Sequence, residues 1–197
     1  MNLDDPVATA LFAAEALDRA GCLHALMGGL LMAAYGEPRE TRDADIAVVD
    51  LTVDRVCDVL SRAGLKCRVA IPDAGVTLGG LSVGHASLLG GDDHLGLNVL
   101  DVVRTRSPAY DVRALDRAAR VPLRDRTIRA LSPEDFVLFK ALATRDRDLD
   151  DAASVPRRTG DLLDLDLIEC EVTALAEEIP DLDVRRNWET IRSRGGR

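Results

Sequence analysis

The chain opens with apolar residues at helical spacing. In "DDPVATALFAAEALDRAG", Val7, Leu11, Ala14 and Leu17 recur three or four positions apart. Asp5 stands as N-cap, Pro6 in the first turn and Gly21 past the end, which predicts an amphipathic helix. The run "CLHALM" stops at Gly28-Gly29 and reads as a strand meeting a tight turn, and "LLMAAY" as a short helix. "DADIAVVD" predicts a second strand, "TVDRVCDVLSRAG" a helix capped by Thr52 and closed by Gly64, and "LKCRVAI" another strand. Residues 72 to 93 are glycine-rich and show no clear period beyond an edge hairpin around Val76 to Leu81. "HLGLNVLDVV" alternates as a strand does. "LSPEDFVLFKALATR" predicts a helix with Ser132 as N-cap, Pro133 in the first turn and Asp135 in capping-box position, and the pattern stays helical to Arg197. There is no internal repeat. The order predicts an α/β core over residues 1–130 and an all-helical part over 131–197 packed against it.

Composition narrows the classes. With 47% hydrophobic and 30% charged residues over 197 positions, one sizeable soluble core is expected. No apolar run approaches the ~20 residues of a membrane helix, and "MNLDDPVATA" lacks the basic flank of a signal peptide, so a cytoplasmic protein with no membrane partner is expected. Cys22, Cys57, Cys67 and Cys170 form no C-x-x-C pair and read as reduced core residues. The net charge of −9 argues against indiscriminate nucleic-acid binding. Residues 104 to 129 are the exception. Arg104, Arg106, Arg113, Arg117, Arg120, Arg124, Arg126 and Arg129 face only Asp111, Asp116 and Asp125 there, which suits either a polyanion surface or an ordinary solvated helix and loop.

The candidate chemistry lies in "MGGLLMAAYGEPRETRDADIAVVD". Asp43 and Asp45 stand two apart on a predicted strand, so they share a face. Two carboxylates that close repel, unless a hard cation such as Mg²⁺ lies between them. The alternative is that Asp43 caps the loop while Asp45 faces solvent. Gly28-Gly29, between a strand and a helix, offers backbone N–H groups to an anion. Asp101 lies inside a strand whose same face carries Leu97, Val99 and Val103; it needs a partner, either a metal shared with Asp43 and Asp45 or one of the arginines. Of 25 basic residues only Lys66 and Lys140 are lysines, compact point charges that arginine's planar fork does not replace. His24 reads as a core residue, His85 and His94 have no metal spacing, and Trp188 reads as a packing anchor.

The Gly-Gly turn followed by the aspartate pair resembles the polymerase-β-type nucleotidyltransferase superfamily. The stretch "SPEDFVLFKALATRDRDLDDAASV" is similar to the AbiEii-like group, whose members carry a "pED-hydrophobic-x-x-K" helix and then an R-x-x-D-x-x-D helix. Those positions are Glu134, Asp135 and Lys140, then Arg145, Asp148 and Asp151. The resemblance implies a nucleotidyltransferase fold, a mixed sheet with flanking helices, that moves a nucleoside monophosphate from an NTP to an acceptor hydroxyl. Asp43, Asp45 and Asp101 would be the catalytic residues holding two Mg²⁺ ions, with Mn²⁺ as a substitute. Gly28, Gly29 and Lys140 would hold the β- and γ-phosphates, Arg145, Asp148 and Asp151 would belong to the nucleotide pocket or form only a surface ion pair, and Arg42 would touch phosphate or pair with an aspartate. For the subgroup, the implied partners are a tRNA or other nucleic-acid acceptor and a cognate antitoxin protein. A small-molecule nucleotidyltransferase of the lincosamide or aminoglycoside type has a similar opening, and a non-catalytic binding partner of the same fold is the third reading.

Overall fold

The computed structural model describes residues 5–73, 77–89 and 97–196. Helix α1 (Pro6–Arg19) starts where Asp5 accepts hydrogen bonds from the Val7 and Ala8 N–H groups. Strand β1 (His24–Met27), a 3-10 turn (Gly28–Leu31) and the short helix α2 (Met32–Tyr35) follow, then β2 (Ala44–Val48), α3 (Val53–Arg62) and β3 (Lys66–Ile71). The glycine-rich stretch holds a two-residue strand β4 (Thr77–Leu78) and a nine-residue strand β5 (Leu81–Leu89). The expected hairpin is therefore present from Thr77 on, while Val76 and His94 lie outside the described residues. Next come β6 (Leu97–Thr105), α4 (Pro108–Arg117), β7 (Ala119–Leu123), β8 (Arg126–Ala130), α5 (Pro133–Leu142), α6 (Asp146–Thr159), α7 (Leu165–Glu178) and α8 (Val184–Gly195).

The strands form one mixed sheet in the order β3-β5-β6-β2-β1-β8-β7, with β4 paired to β5. Strands β2 and β6 run parallel in the middle, and β5 and β1 lie antiparallel outside them. Helices α1, α3 and α4 contact one face, where Ala86, Leu88, Leu100 and Val102 are fully buried. The α5–α8 bundle stands on the opposite face, over the end formed by the β4–β5 turn. There the Gly80 N–H donates to the Leu142 carbonyl at 2.8 Å, and a Cβ on Gly79 (φ 61°) would lie 2.6 Å from that oxygen. This contact, with Asn187 Nδ2 donating to the Ala141 carbonyl at 2.7 Å, fixes the C-terminal end of α5 above the sheet.

Two expectations need correction. The arginine-rich segment is not helix and loop alone: after α4 it becomes the β7–β8 hairpin, with Arg124 at φ 54° in the turn. Nor are the cysteines all core residues, since Cys170 is exposed and only Cys57 is buried; all four are free thiols.

Every arginine of that segment is engaged within the chain. Arg104 pairs with Asp73, Arg106 with Asp181, Arg120 with Asp18, Arg124 with Asp5 and Arg126 with Glu15, while Arg129 donates to the Leu115 carbonyl. Arg113 and Arg117 do more. Arg117 grips the fully buried Asp135 at 2.6 Å and Glu171 at 2.8 Å, and Arg113 bonds Glu171 and Glu178. Tyr110 and Ser132 hydroxyls complete the shell of Asp135. The cluster clamps α4, α5 and α7 together. Removing one partner of a buried pair strands the other charge, whereas a surface pair contributes little. Arg117→Met should therefore cost about 3–5 kcal/mol of unfolding free energy, and Arg124→Met, facing solvent, far less. Urea denaturation of the two variants measures the contrast, and equal costs would contradict it.

Candidate active site

Register places the carboxylates. Asp45 of β2 and Asp101 of β6 are direct partners on adjacent parallel strands, so their side chains leave the same face side by side. On its other side Asp45 is partnered by Met27, the last residue before the Gly28 turn. Asp43 precedes β2, is exposed, and stands at the entrance rather than within the strand. All three line one cavity of about 340 Å³. The opposite wall comes from α5 and the start of α6, through Phe139, Lys140, Arg145, Arg147 and Asp148, and Arg39 and Thr41 close the side. Carboxylates on the sheet thus face cations on the helical bundle.

The turn is shaped around Asp45. Gly28 has φ 70°, and a Cβ there would sit 2.1 Å from Asp45 Oδ2, so both backbone and space require glycine. The Gly29 N–H donates to the same Oδ2 at 3.3 Å. That amide was expected to meet an anion; the anion it meets is the chain's own carboxylate. Burial, first, and then the neighbouring Asp101 push the Asp45 carboxyl up to about 7, against the Lys140 ammonium and the Gly29 N–H. Asp101 is raised too, by burial first, although His85 opposes the shift.

His85 is the residue that sequence reasoning missed. It is the register partner of Asp101 on β5, and its Nδ1 lies 2.5 Å from Asp101 Oδ1. The only signal was its place in a strand too glycine-rich to read. Arg39 was missed as well; it lines the cavity and donates to Asp151 at 3.2 Å. Arg42, expected there instead, is exposed and not part of the cavity lining.

Lys140 is buried, with its Nζ 2.6 Å from Asp148 and 3.3 Å from Asp151. Arg145 shares Asp148 at 2.6 Å. Burial alone would raise the Asp148 carboxyl; Arg145 and Lys140 outweigh it and hold it low. Glu134 and Asp135 lie at the far end of α5, where Glu134 accepts the Asp164 N–H and Asp135 belongs to the Arg117 clamp.

The donor chemistry fits a hard divalent cation: three carboxylates around one cavity, two of them with proton affinity raised first by burial and then by a neighbouring carboxylate. Among the described residues, no three such groups are already gathered as a metal centre. Asp45 is turned to Gly29 and Asp101 to His85, so a cation would have to draw them away from those partners.

The strain at Asp45 has a pH signature. Unfolded, its carboxyl loses its proton near 3.9; folded, it keeps it to about 7. Between those values the folded state holds the extra proton, so the carboxylate's penalty grows as pH rises through this window and is complete above it. In EDTA, Asp45→Asn should match wild type near pH 4 and exceed it at pH 8 by about 1–2 kcal/mol, after allowance for water in the cleft. Thermal melts across this range test it, and a gap that does not change with pH would contradict it.

The sequence matches no family model and no curated protein. Among solved structures, the chain is similar to the crystal structure of an antigenic nucleotidyltransferase-like protein from Paracoccidioides brasiliensis, at 18% identity and a TM-score of 0.51. The match covers 96% of this chain and 93% of that one. At that identity the likeness is one of architecture: the chain has a nucleotidyltransferase-like fold, a mixed eight-stranded sheet flanked by helices.

Proposed function

We propose that the chain transfers a nucleoside monophosphate from a nucleoside triphosphate to an acceptor hydroxyl, using a divalent metal. The observation that carries this is the facing of Asp45 and Asp101, register partners on neighbouring strands, with Lys140 and Arg145 across one cavity. Such a cleft suits a polyanion that is held by cations on one side and reacts above carboxylates on the other.

Asp43, Asp45 and Asp101 would hold Mg²⁺, which when bound supplies charge neutralisation of the triphosphate and acidification of the acceptor hydroxyl. The chain's own residues do the rest. Lys140 and Arg145 bind phosphate oxygens, sharing Asp148 so that neither cation needs to be rebuilt when the nucleotide enters. Arg39 and Arg147 extend that wall toward the entrance. Asp101, with Oδ1 on His85, has Oδ2 to receive the acceptor's proton as the oxygen attacks the α-phosphorus in line and pyrophosphate leaves.

The AbiEii-like reading of this wall is carried by the sequence stretch; Lys140, Arg145, Asp148 and Asp151 do gather there, paired with one another. A toxin role with a cognate antitoxin is proposed with that subgroup. The arginines of 104–129 no longer argue for a nucleic-acid acceptor, because each already has a partner within the chain.

The direct test is incubation with Mg²⁺, each labelled NTP and a panel of hydroxyl acceptors, followed by pyrophosphate release. Asp45→Asn and Asp101→Asn should each lower turnover by roughly 10²–10³-fold, as expected for a preorganised charge at the reacting phosphate. Turnover retained in either variant would contradict the reading. Lys140→Met should weaken a non-hydrolysable NTP with Mg²⁺ roughly ten- to a hundredfold by isothermal titration. It should also lower stability, since Asp148 and Asp151 each lose a buried partner. Unchanged nucleotide affinity would remove Lys140 from the site.

A further inference from the structure

The cavity continues past Asp101 onto the sheet. An open groove next to it is lined by Asp43, His85, Asp101, Val99, Ala70 and Ile71, so three side chains belong to both. Register extends this face outward. His85 lies between Asp101 and Ile71, and Ser87 lies between Val99 and Arg68, so Val99, Ser87 and Arg68 form the next row beside the catalytic one. Side chains alternate along β3, where Lys66, Arg68 and Ala70 are exposed and Cys67 and Val69 turn toward α3. Lys66 and Arg68 therefore project from the face that carries Asp101.

Three further features distinguish this face. The register slips between Val69 and Ile71, a bulge that brings both Ala70 and Ile71 into the groove beside His85. Among the described residues, Lys66 and Arg68 are in no ion pair, whereas seven of the eight arginines of 104–129 are in one and the eighth, Arg129, donates to the Leu115 carbonyl. Last, the groove walls offer no lysine or arginine: Ala70, Ile71 and Val99 are apolar, Asp43 and Asp101 are acidic, and His85 is engaged by Asp101.

We propose that this face seats the acceptor, and that Arg68 and Lys66 bind a phosphate carried by the acceptor beyond its reacting hydroxyl; this rests on the nucleotidyltransfer reading above. Arg68 is two strands across and two residues along from Asp101, so the Cα atoms are ~12 Å apart by strand geometry. A guanidinium reaching back over Ser87 then meets an anion one nucleotide-sized step from a hydroxyl at Asp101. Val99 and the bulged Ala70–Ile71 pair offer an apolar floor to the part between. The shared chemistry is a hydroxyl with a phosphate at that spacing, whether in a sugar phosphate or in a strand of nucleic acid.

The test is binding, measured by anisotropy with Mg²⁺ and a non-hydrolysable NTP present. The probes are a labelled pentaribonucleotide, its methylphosphonate analogue and ribose 5-phosphate as competitor. Lys66→Thr/Arg68→Thr should weaken the pentaribonucleotide by at least about tenfold and flatten its salt dependence by ~1.4 units of slope for two lost phosphate contacts. Nucleotide affinity should not change, and both positions are exposed, so the melting temperature should hold. The charge-matched Arg55→Thr/Arg62→Thr, on exposed positions of α3 behind the sheet, should bind within about twofold of wild type. Competition by ribose 5-phosphate would support a single phosphate as sufficient, and binding of the pentamer alone would support a strand. A wild type that binds the methylphosphonate analogue equally well, or neither phosphate probe, would overturn the proposal, as would equal losses in the two double variants. Because binding is read without turnover, absence of nucleotidyl transfer would defeat the activity and leave this contact to be judged by itself.

Discussion

Two carboxylates one strand spacing apart, pointing into the same cavity, are the constraint around which the rest of this structure is arranged. Asp45 and Asp101 are brought together by parallel pairing of β2 and β6, and backbone hydrogen bonding holds them there whatever their charge. The surroundings temper the repulsion only in part. Gly28 clears the space for Asp45, Gly29 lends it an N–H, and His85 covers one oxygen of Asp101. Asp45 still holds its proton to about 7. Strain of this kind is characteristic of functional sites, and on the proposed reading a divalent cation would relieve it.

Elsewhere the chain handles charge in the opposite way. Apart from Arg129, which donates to the Leu115 carbonyl, the arginines of α4 and the β7–β8 hairpin are neutralised by carboxylates from α1 and its N-cap, α5 and α7. The buried member of this set, the Arg117–Asp135–Glu171 cluster, locks α5 in place, and α5 carries Lys140 to the cavity. The clamp and the site are thus coupled through one helix: the ion pairs at its N-terminal end position Lys140, itself paired with Asp148 and Asp151, near its C-terminal end.

What the sequence revealed follows from the range over which each signal acts. Helix caps at Asp5, Thr52 and Ser132 are local and were legible. So were the strands bearing Asp45 and Asp101, because apolar neighbours marked them. The sheet order was not legible, and with it went His85, whose role exists only because β5 pairs with β6 in one register. The β7–β8 hairpin was hidden because its exposed strand positions carry arginines where a half-buried strand would show alternation. Lys140 was singled out by the family resemblance, with the scarcity of lysine in support, but its bonds to Asp148 and Asp151 depend on how α6 folds back on α5. Arg42 and Arg39 differ by three residues, and only the path of the loop decides which one meets the cavity.

The central claim is that the Asp45–Asp101 pair awaits a divalent cation, and Mn²⁺ binding followed by electron paramagnetic resonance tests it most directly. At pH 8, where Asp45 has lost its proton, wild type should remove Mn²⁺ from the free signal in a saturable way. Mg²⁺ should displace it, and Asp45→Asn should abolish the binding. Mn²⁺ left free by the wild type, or bound equally well by Asp45→Asn, would contradict the account.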